Sequence, residues 1–191
     1  SLLPCFVAAM SALDDKTYAI TTIDDLSEFA RKCKTDSWSR GKTFVLQADL
    51  DLSGMNFEPI PTFGGIFDGG EHTISGINMS KKSSYVGFFR YVQSGAEVKN
   101  LKLSGTVTPD GTKKYVGGIV GENSGTIRDS VFNGSVKGDT NVGGICGYIT
   151  ESGSALGCAF VGSVTGDSYT GGIAGQNFGT IDACTNKGKI N

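Results

Sequence analysis

The sequence predicts an all-β solenoid, in which short strands wind into coils that stack on one another. The phrase Gly-Gly-Ile-x-Gly begins at Gly117, Gly143 and Gly171, with offsets of 143 − 117 = 26 and 171 − 143 = 28 residues. Such spacing is typical of stacked repeats. Short stretches of alternating apolar and polar residues follow each copy, as strands require. The 191 residues also include 29 glycines, far above the usual share of about 7%, which suits many tight corners.

The first predicted segment, residues 1–12, has two interpretations. Its apolar run ends in small residues and is similar to the end of a secretory signal that lacks its basic start. An N-terminal strand is the alternative. Either way, the run is too short to cross a membrane, and no other stretch of the sequence is a candidate to do so.

The second segment, residues 13–41, is predicted to be an N-terminal cap with one helix. Thr22 followed by Asp25 forms a capping-box pattern, and Ile23, Leu26 and Phe29 fall on one helical face. Because an uncovered terminal coil exposes unpaired strand edges, we expect this apolar face to cover the open end of the solenoid.

The third segment, residues 42–191, is predicted to hold about five coils, each with two or three strands. A degenerate copy of the glycine phrase lies at Val86-Gly87-Phe88-Phe89. The sequence stops at Asn191, directly after a predicted strand, so we expect the segment to continue in a larger polypeptide or to meet a partner.

Two groups of motifs resemble known families. The stretches Tyr115–Ile127 and Ile181–Ile190 resemble the GLUG repeats of bacterial surface and secreted proteins. The stretch Gly64–Ile77, with Phe67-Asp68-Gly69-Gly70, resembles a phrase that begins right-handed parallel β-helices. The resemblance implies a right-handed parallel β-helix with a short N-terminal helical cap, in an extracellular or cell-surface protein. It is specific for the fold and not for an activity.

Charge and cysteine content exclude several function classes. The net charge of −2 comes from scattered acids and bases, which disfavours a nucleic-acid partner. The five cysteines have no metal-ligand spacing, and no motif for a cofactor is present. Cys158 and Cys184 share one repeat position, so they are predicted to be two packed free thiols or, alternatively, a disulfide between neighbouring coils.

Candidate catalytic and metal-binding residues are few. His72 is the only histidine, so any nucleophilic triad must use it; a structural corner is the alternative. Asp110, Asp139 and Asp167 recur at offsets of 29 and 28 residues. They are predicted to stabilise turns, with a cation-binding edge as a weak metal candidate.

Polar and aromatic repeat positions suggest two ladders. Asn123 and Asn177 are predicted to belong to a buried asparagine ladder, in which Tyr148 replaces one asparagine. The candidate ligand-binding residues precede or follow the glycine phrases and could line an outer groove suited to sugar rings: they are Tyr85, Tyr91, Tyr115 and Tyr169. Packing against neighbouring coils is the alternative role for them.

The predicted function is a non-catalytic extracellular module that serves as an adhesin-like binding domain or a structural stalk. Its expected partner is a host or microbial glycan or a surface protein. The alternative is a carbohydrate-active β-helix enzyme, a polysaccharide lyase or a glycoside hydrolase, that uses Asp68, Glu71 or the Asp110 series. An ice-binding wall is disfavoured, because only Thr106-Val107-Thr108 has the required Thr-x-Thr pattern.

Overall fold

The computed structural model describes residues 10–111 and 113–191. They form a β-solenoid of about six turns with one short helix near the N-terminus, which confirms the predicted fold class. Most of the possible signal segment, including Cys5, lies outside the described residues.

Strands occupy most of the described chain. The N-terminal part contains β1 (Ser11–Ala12), β2 (Thr17–Ile20), α1 (Ile23–Lys32), β3 (Thr43–Leu46), β4 (Leu50–Asp51), β5 (Ile66–Asp68) and β6 (Thr73–Met79). It is followed by β7 (Phe89–Val92), β8 (Glu97–Lys99) and β9 (Lys102–Val107).

Two complete coils come next. The first contains β10 (Lys114–Gly117), β11 (Val120–Asn123), β12 (Thr126–Arg128) and β13 (Val131–Lys137), and the second β14 (Thr140–Gly143), β15 (Cys146–Ile149), β16 (Ser154–Leu156) and β17 (Ala159–Thr165). The last coil contains β18 (Ser168–Gly171), β19 (Ala174–Asn177), β20 (Thr180–Asp182), β21 (Thr185–Asn186) and β22 (Lys189–Ile190). The prediction of two or three strands per coil is correct for the coil of β7, β8 and β9 and was wrong for these three coils, in which the glycine corner divides one apolar stretch into two strands.

The strands stack into four sheets that form the walls of the solenoid. Sheet one runs β1-β2-β3-β5-β8-β12-β16-β20, sheet two β4-β6-β9-β13-β17-β21, sheet three β7-β11-β15-β19 and sheet four β10-β14-β18. All pairings are parallel except that of β1 with β2. Thr43 pairs with Ile66, so β3 and β5 form separate layers. Residues 42–191 thus contribute six strands to sheet one, where the repeat phrases alone indicate about five coils.

The glycine phrase keeps its register from coil to coil, as predicted. Gly117 pairs with Gly143, and Gly143 pairs with Gly171. The isoleucine of the phrase is fully buried at Ile119 and Ile145. Each copy therefore sends one apolar side chain into the narrow core that stacked coils share.

The second glycine of the phrase lies against an aromatic ring in the core. Phe132 and Phe160 stack with centroids 6.4 Å apart and ring planes at 15°. A Cβ atom added to Gly118 would lie 2.4 Å from Cγ of Phe132, and one added to Gly144 would lie 2.3 Å from Cγ of Phe160. These positions require glycine because the ring fills the space that a side chain would need.

The helix closes the N-terminal end of the solenoid, as predicted. Thr22 accepts a hydrogen bond from the backbone N–H of Asp25, and the Asp25 carboxylate accepts one from the N–H of Thr22. On the apolar face, the ring of Phe29 lies 4.7 Å from that of Phe44 and 5.7 Å from that of Phe63. Segment 13–41 also supplies β2, which pairs with β3, so the cap extends the first sheet.

Candidate functional site

A repeated corner positions the first set of tyrosines. Tyr85, Tyr115, Asn141 and Tyr169 all have left-handed backbone angles, with φ of 59°, 59°, 57° and 49°. The residue directly after each of these four pairs with its counterpart in the next coil, as Val86–Val116, Val116–Val142 and Val142–Thr170. The four residues therefore occupy one column. Left-handed φ is uncommon outside glycine and favours asparagine among the other residues, so three tyrosines in this column are unusual.

Aromatic rings from successive coils pack against one another on this wall. Tyr85 and Tyr115 stack with centroids 4.5 Å apart and ring planes at 10°. Tyr91 lies 5.0 Å from Tyr85, and Tyr148 lies 5.8 Å from Tyr115 at nearly a right angle. Phe178 extends the series, 5.6 Å from Tyr148. We call these five residues the aromatic wall.

A second column, in sheet three, supplies polar groups to the same surface. Tyr91, Glu122, Tyr148 and Gln176 are register neighbours in that order. The Nδ2 atom of Asn141 donates to Oε1 of Gln176 at 3.3 Å. A carboxylate and two amides therefore lie among the aromatic rings.

The environment of Glu122 disfavours its charged form. Partial burial raises the pKa of the Glu122 carboxyl. Burial also raises the pKa of Tyr85 and Tyr91, and the nearby Glu122 carboxylate adds to both shifts. No ion pair found within residues 10–111 and 113–191 includes Glu122. Glu122 is therefore a half-buried carboxyl group without a cationic partner among the described residues.

A groove of about 450 Å³ adjoins the aromatic wall. Tyr91 and Glu122 line one side of it, and Ser124 and Ser152 supply hydroxyl groups. Arg40 also lines the groove and donates through Nε to Oε1 of Gln93 at 2.8 Å. The lining is mostly polar, and Tyr91 supplies its one aromatic ring.

The structure brings together only part of the predicted tyrosine set. Tyr85, Tyr91 and Tyr115 are in contact, but Tyr169 is 61% exposed, and no ring contact within the described chain includes it. Asn141 separates Tyr169 from Tyr115 in the column. Tyr148 and Phe178 were not among the predicted candidates. The offset from Glu122 to Tyr148, 148 − 122 = 26, equals that of the glycine phrase, so the repeat spacing could have placed Tyr148 beside Glu122.

The predicted aspartate series is not one column. The backbone N–H of Asp167 donates to the carbonyl oxygen of Asp139 at 2.8 Å, but Asp139 contacts Lys113 rather than Asp110. The N–H of Asp110 donates instead to the carbonyl oxygen of Ser80. In the part of the chain that the structure describes, no three histidine, cysteine, aspartate or glutamate side chains converge as metal ligands.

The residues of the enzyme alternative lie on an open surface. Nδ1 of His72 is 3.2 Å from Oδ1 of Asp49, whose side chain is 75% exposed. Glu71 pairs with Lys102 at 3.1 Å and is 64% exposed. Oδ1 of Asp68 accepts from the backbone N–H of Gly70, as turn aspartates do. Asp49 and Glu71 are thus solvent-exposed, whereas Asp68 is half-buried.

The predicted asparagine ladder is interrupted, although Nδ2 of the buried Asn123 does donate to the carbonyl oxygen of Ser154 in the neighbouring coil at 3.0 Å. Asn123 pairs with Ile149, and Ile149 pairs with Asn177, so the residue that replaces asparagine is Ile149 and not Tyr148. Each asparagine accepts a hydrogen bond from the N–H two residues later, of Gly125 or Gly179. These side chains stabilise their own turns.

The repeat position shared by Cys158 and Cys184 holds free thiols. The Sγ atom of Cys158 donates to the carbonyl oxygen of Ile127, and that of Cys184 to the carbonyl oxygen of Ala155, each at 3.3 Å. Burial raises the pKa of Cys158 to about 12. Both thiols therefore pack against the neighbouring coil, as the free-thiol alternative predicted.

Among the described helices, none combines the length and the apolar character needed to span a bilayer.

Comparison with known proteins identifies the repeat. Residues 166–191 match the family model described as the GLUG motif. The chain is 28% identical over 165 residues to halomucin from Haloquadratum walsbyi, a match that covers 74% of this chain and 2% of halomucin. The crystal structure of a candidate immunoglobulin A1 protease from Bacteroides ovatus shares the fold, with a TM-score of 0.68 and 21% identity. That match covers 93% of this chain and 63% of the other.

The family match, the four-strand coils in register and the shared fold agree with one another. The chain is a parallel β-helix domain, and its last coil, residues 166–191, matches the GLUG motif.

Proposed function

We propose that this chain is a non-catalytic module of a larger extracellular or cell-surface protein and that its aromatic wall binds a glycan. The observation that carries the proposal is the stacked pair Tyr85 and Tyr115 beside Tyr91 and Glu122. Aromatic faces pack against the C–H faces of sugar rings, while carboxylate and hydroxyl oxygens bond to sugar hydroxyls.

The similarity to halomucin and the GLUG match support a location outside the cell. The fragment matched in halomucin is small, so the chain is proposed to be one module of a long polypeptide. A rigid stack of coils holds side chains of successive coils side by side, which suits an extended binding surface.

The test is a glycan-array screen, followed by calorimetry on each sugar that binds and by product analysis. Tyr115→Asn removes one ring of the stacked pair and keeps a residue suited to left-handed φ, as Asn141 is in the same column. Loss of one stacked aromatic contact is expected to weaken binding about tenfold.

Tyr169→Asn is the matched control, because Tyr169 has the same backbone angle and lies outside the ring contacts of the wall. It is expected to bind glycan as the parent does. Equal loss in the two variants, or silence of the parent on the array, would overturn the role of the wall. Cleavage of a bound polysaccharide would overturn the non-catalytic assignment.

A further inference from the structure

A second cavity, of about 220 Å³, lies beside the aromatic wall. Its floor is apolar and includes Phe57, Met79 and Val86, all nearly fully buried. Arg90 lines it and directly precedes Tyr91 of the wall on β7. We call this cavity, which includes the chain neighbour of Tyr91, the basic pocket.

The basic pocket carries an excess of positive charge. Its lining includes Lys81, Lys82 and Arg90 against one carboxylate, Glu58, for a net 3 − 1 = +2, although the whole chain has a net charge of −2. Glu58 pairs with Lys81 at 2.6 Å. Within residues 10–111 and 113–191, no ion pair includes Lys82 or Arg90. Two cations of the lining therefore lack a carboxylate partner.

Arg90 also has an unused buried donor. Its Nη2 atom donates to Oγ of Ser83 at 2.9 Å. Its Nε atom is buried and has no hydrogen-bond acceptor among the described residues. An unpaired buried donor on a charged group is costly, and guanidinium N–H groups match the geometry of carboxylate, sulfate and phosphate oxygens. An oxyanion in the pocket would satisfy this donor.

We infer that the basic pocket binds the carboxylate or sulfate group of an acidic glycan, through Nε of Arg90 and the ammonium group of Lys82. The sugar ring that bears the acidic group would continue onto Tyr85 and Tyr91, so this inference rests on the proposed glycan-binding function. It specifies the class of glycan as acidic, which the aromatic wall alone does not.

The direct test follows the Arg90 Nε–H resonance by NMR of the whole chain at fixed ionic strength. Separate titrations use tetragalacturonate, its fully methyl-esterified form, a sulfated chondroitin oligosaccharide and sodium sulfate, with sodium chloride as the ionic blank. We expect a saturable shift with at least one acidic oligosaccharide. Removing the charge by esterification should weaken binding by tenfold or more, the effect of losing a charged hydrogen bond.

Variants separate this inference from the proposed function. Lys82→Gln and Arg90→Gln should each weaken binding of the acidic oligosaccharide about tenfold and leave the affinity for neutral glycans unchanged. Arg128→Gln, on sheet one, is the matched control and should change neither. A native-like NMR spectrum verifies that each variant folds.

Three outcomes would overturn the inference. In the first, the Arg90 resonance shifts with none of the anions. In the second, it shifts with sodium sulfate but with neither acidic oligosaccharide. In the third, the charged and the esterified oligomers bind with equal affinity. If neutral glycans still bind and Tyr115→Asn still weakens them, the proposed function stands while the inference fails. The Arg90 resonance could also shift with an acidic oligosaccharide whose affinity is unchanged in Tyr115→Asn. In that case the pocket is supported and the role of the wall is refuted.

Discussion

Replacing Gly144 by alanine should be among the most damaging changes to this solenoid. The added Cβ would lie 2.2 Å from the carbonyl oxygen of Gly172 and 2.3 Å from Cγ of Phe160. The N–H of Gly144 donates to Gly171, and its carbonyl oxygen accepts from Gly118. Because both neighbouring coils hold this backbone, it cannot move away from either contact.

The expected cost is about 3 kcal/mol or more, the upper end of what overpacking a core costs. For a chain of this size that corresponds to a fall in Tm of about 6–12 °C. The measurement is chemical and thermal unfolding followed by circular dichroism and by tryptophan fluorescence, since the coils of a solenoid need not unfold together.

Gly95→Ala is the control that separates steric crowding from backbone strain. Gly95 has a φ of +83°, and a Cβ there would meet no atom within 4 Å. Strain alone should cost about 1–2 kcal/mol. If Gly144→Ala costs no more than Gly95→Ala, the argument that each glycine phrase is fixed by the ring and backbone of neighbouring coils is refuted.

Three further predictions concern the cap, the wall and the thiols. Thr22→Ala should cost about 1 kcal/mol, the usual value of an N-cap, measured by urea unfolding; an unchanged midpoint would show that the cap does not limit stability. Because burial raises the pKa of Glu122 in the fold, the folded state holds its proton to higher pH than the unfolded state. Stability should therefore fall as pH rises from the unfolded value of about 4.3 through the folded value. Glu122→Gln should flatten that slope and raise the free energy of unfolding at pH 7, and a slope equal to the parent's would contradict the assignment. In thiol labelling of the native protein at pH 8, Cys184 should react before Cys146 and Cys158, whose burial raises their pKa values, and equal rates would contradict the packing described.

The parts of the fold that repeat were predictable from the sequence. The offset of the glycine phrase placed Gly117, Gly143 and Gly171 in one register, because each position has the same steric demand in every coil. The helix was predictable because Thr22 and Asp25 form a local signal that needs no tertiary context.

The aspartate series failed because the length of a coil changes within one turn. Phe132 pairs with Leu103, an offset of 29 residues, but Thr140 pairs with Lys114, an offset of 26. The difference is taken up in the loop that contains Asp110. Counting 29 residues from Asp139 reaches Asp110, whereas the stacked neighbour lies 26 residues away, at Lys113.

The basic pocket was not predictable from repeat spacing, because many of its residues lie outside the repeated phrases. Arg90 and Met79 of the pocket lie on strands, but most of its other residues come from the connections that follow β4 and β6, near Phe57 and near Lys82. Side chains brought together by irregular loops leave no periodic trace in a sequence. The pairings of Ile60 with Phe89 and of Phe63 with Val92 bring the first of these loops next to Arg90, and both depend on the folded chain.

The aromatic wall has a repeated backbone corner that carries side chains the repeat itself does not require. Its corner repeats, yet tyrosine in a left-handed conformation costs about 1 kcal/mol more than glycine or asparagine there. Stacking of Tyr85 on Tyr115 can return about 0.5–1.5 kcal/mol, so the wall adds little to net stability. Tyr85 and Tyr115 thus occupy strained positions with little net gain in stability. Local structure alone does not explain such residues. Their rings remain partly exposed beside a carboxylate without an ion-pair partner among the described residues, and the proposed contact with a glycan would account for that arrangement.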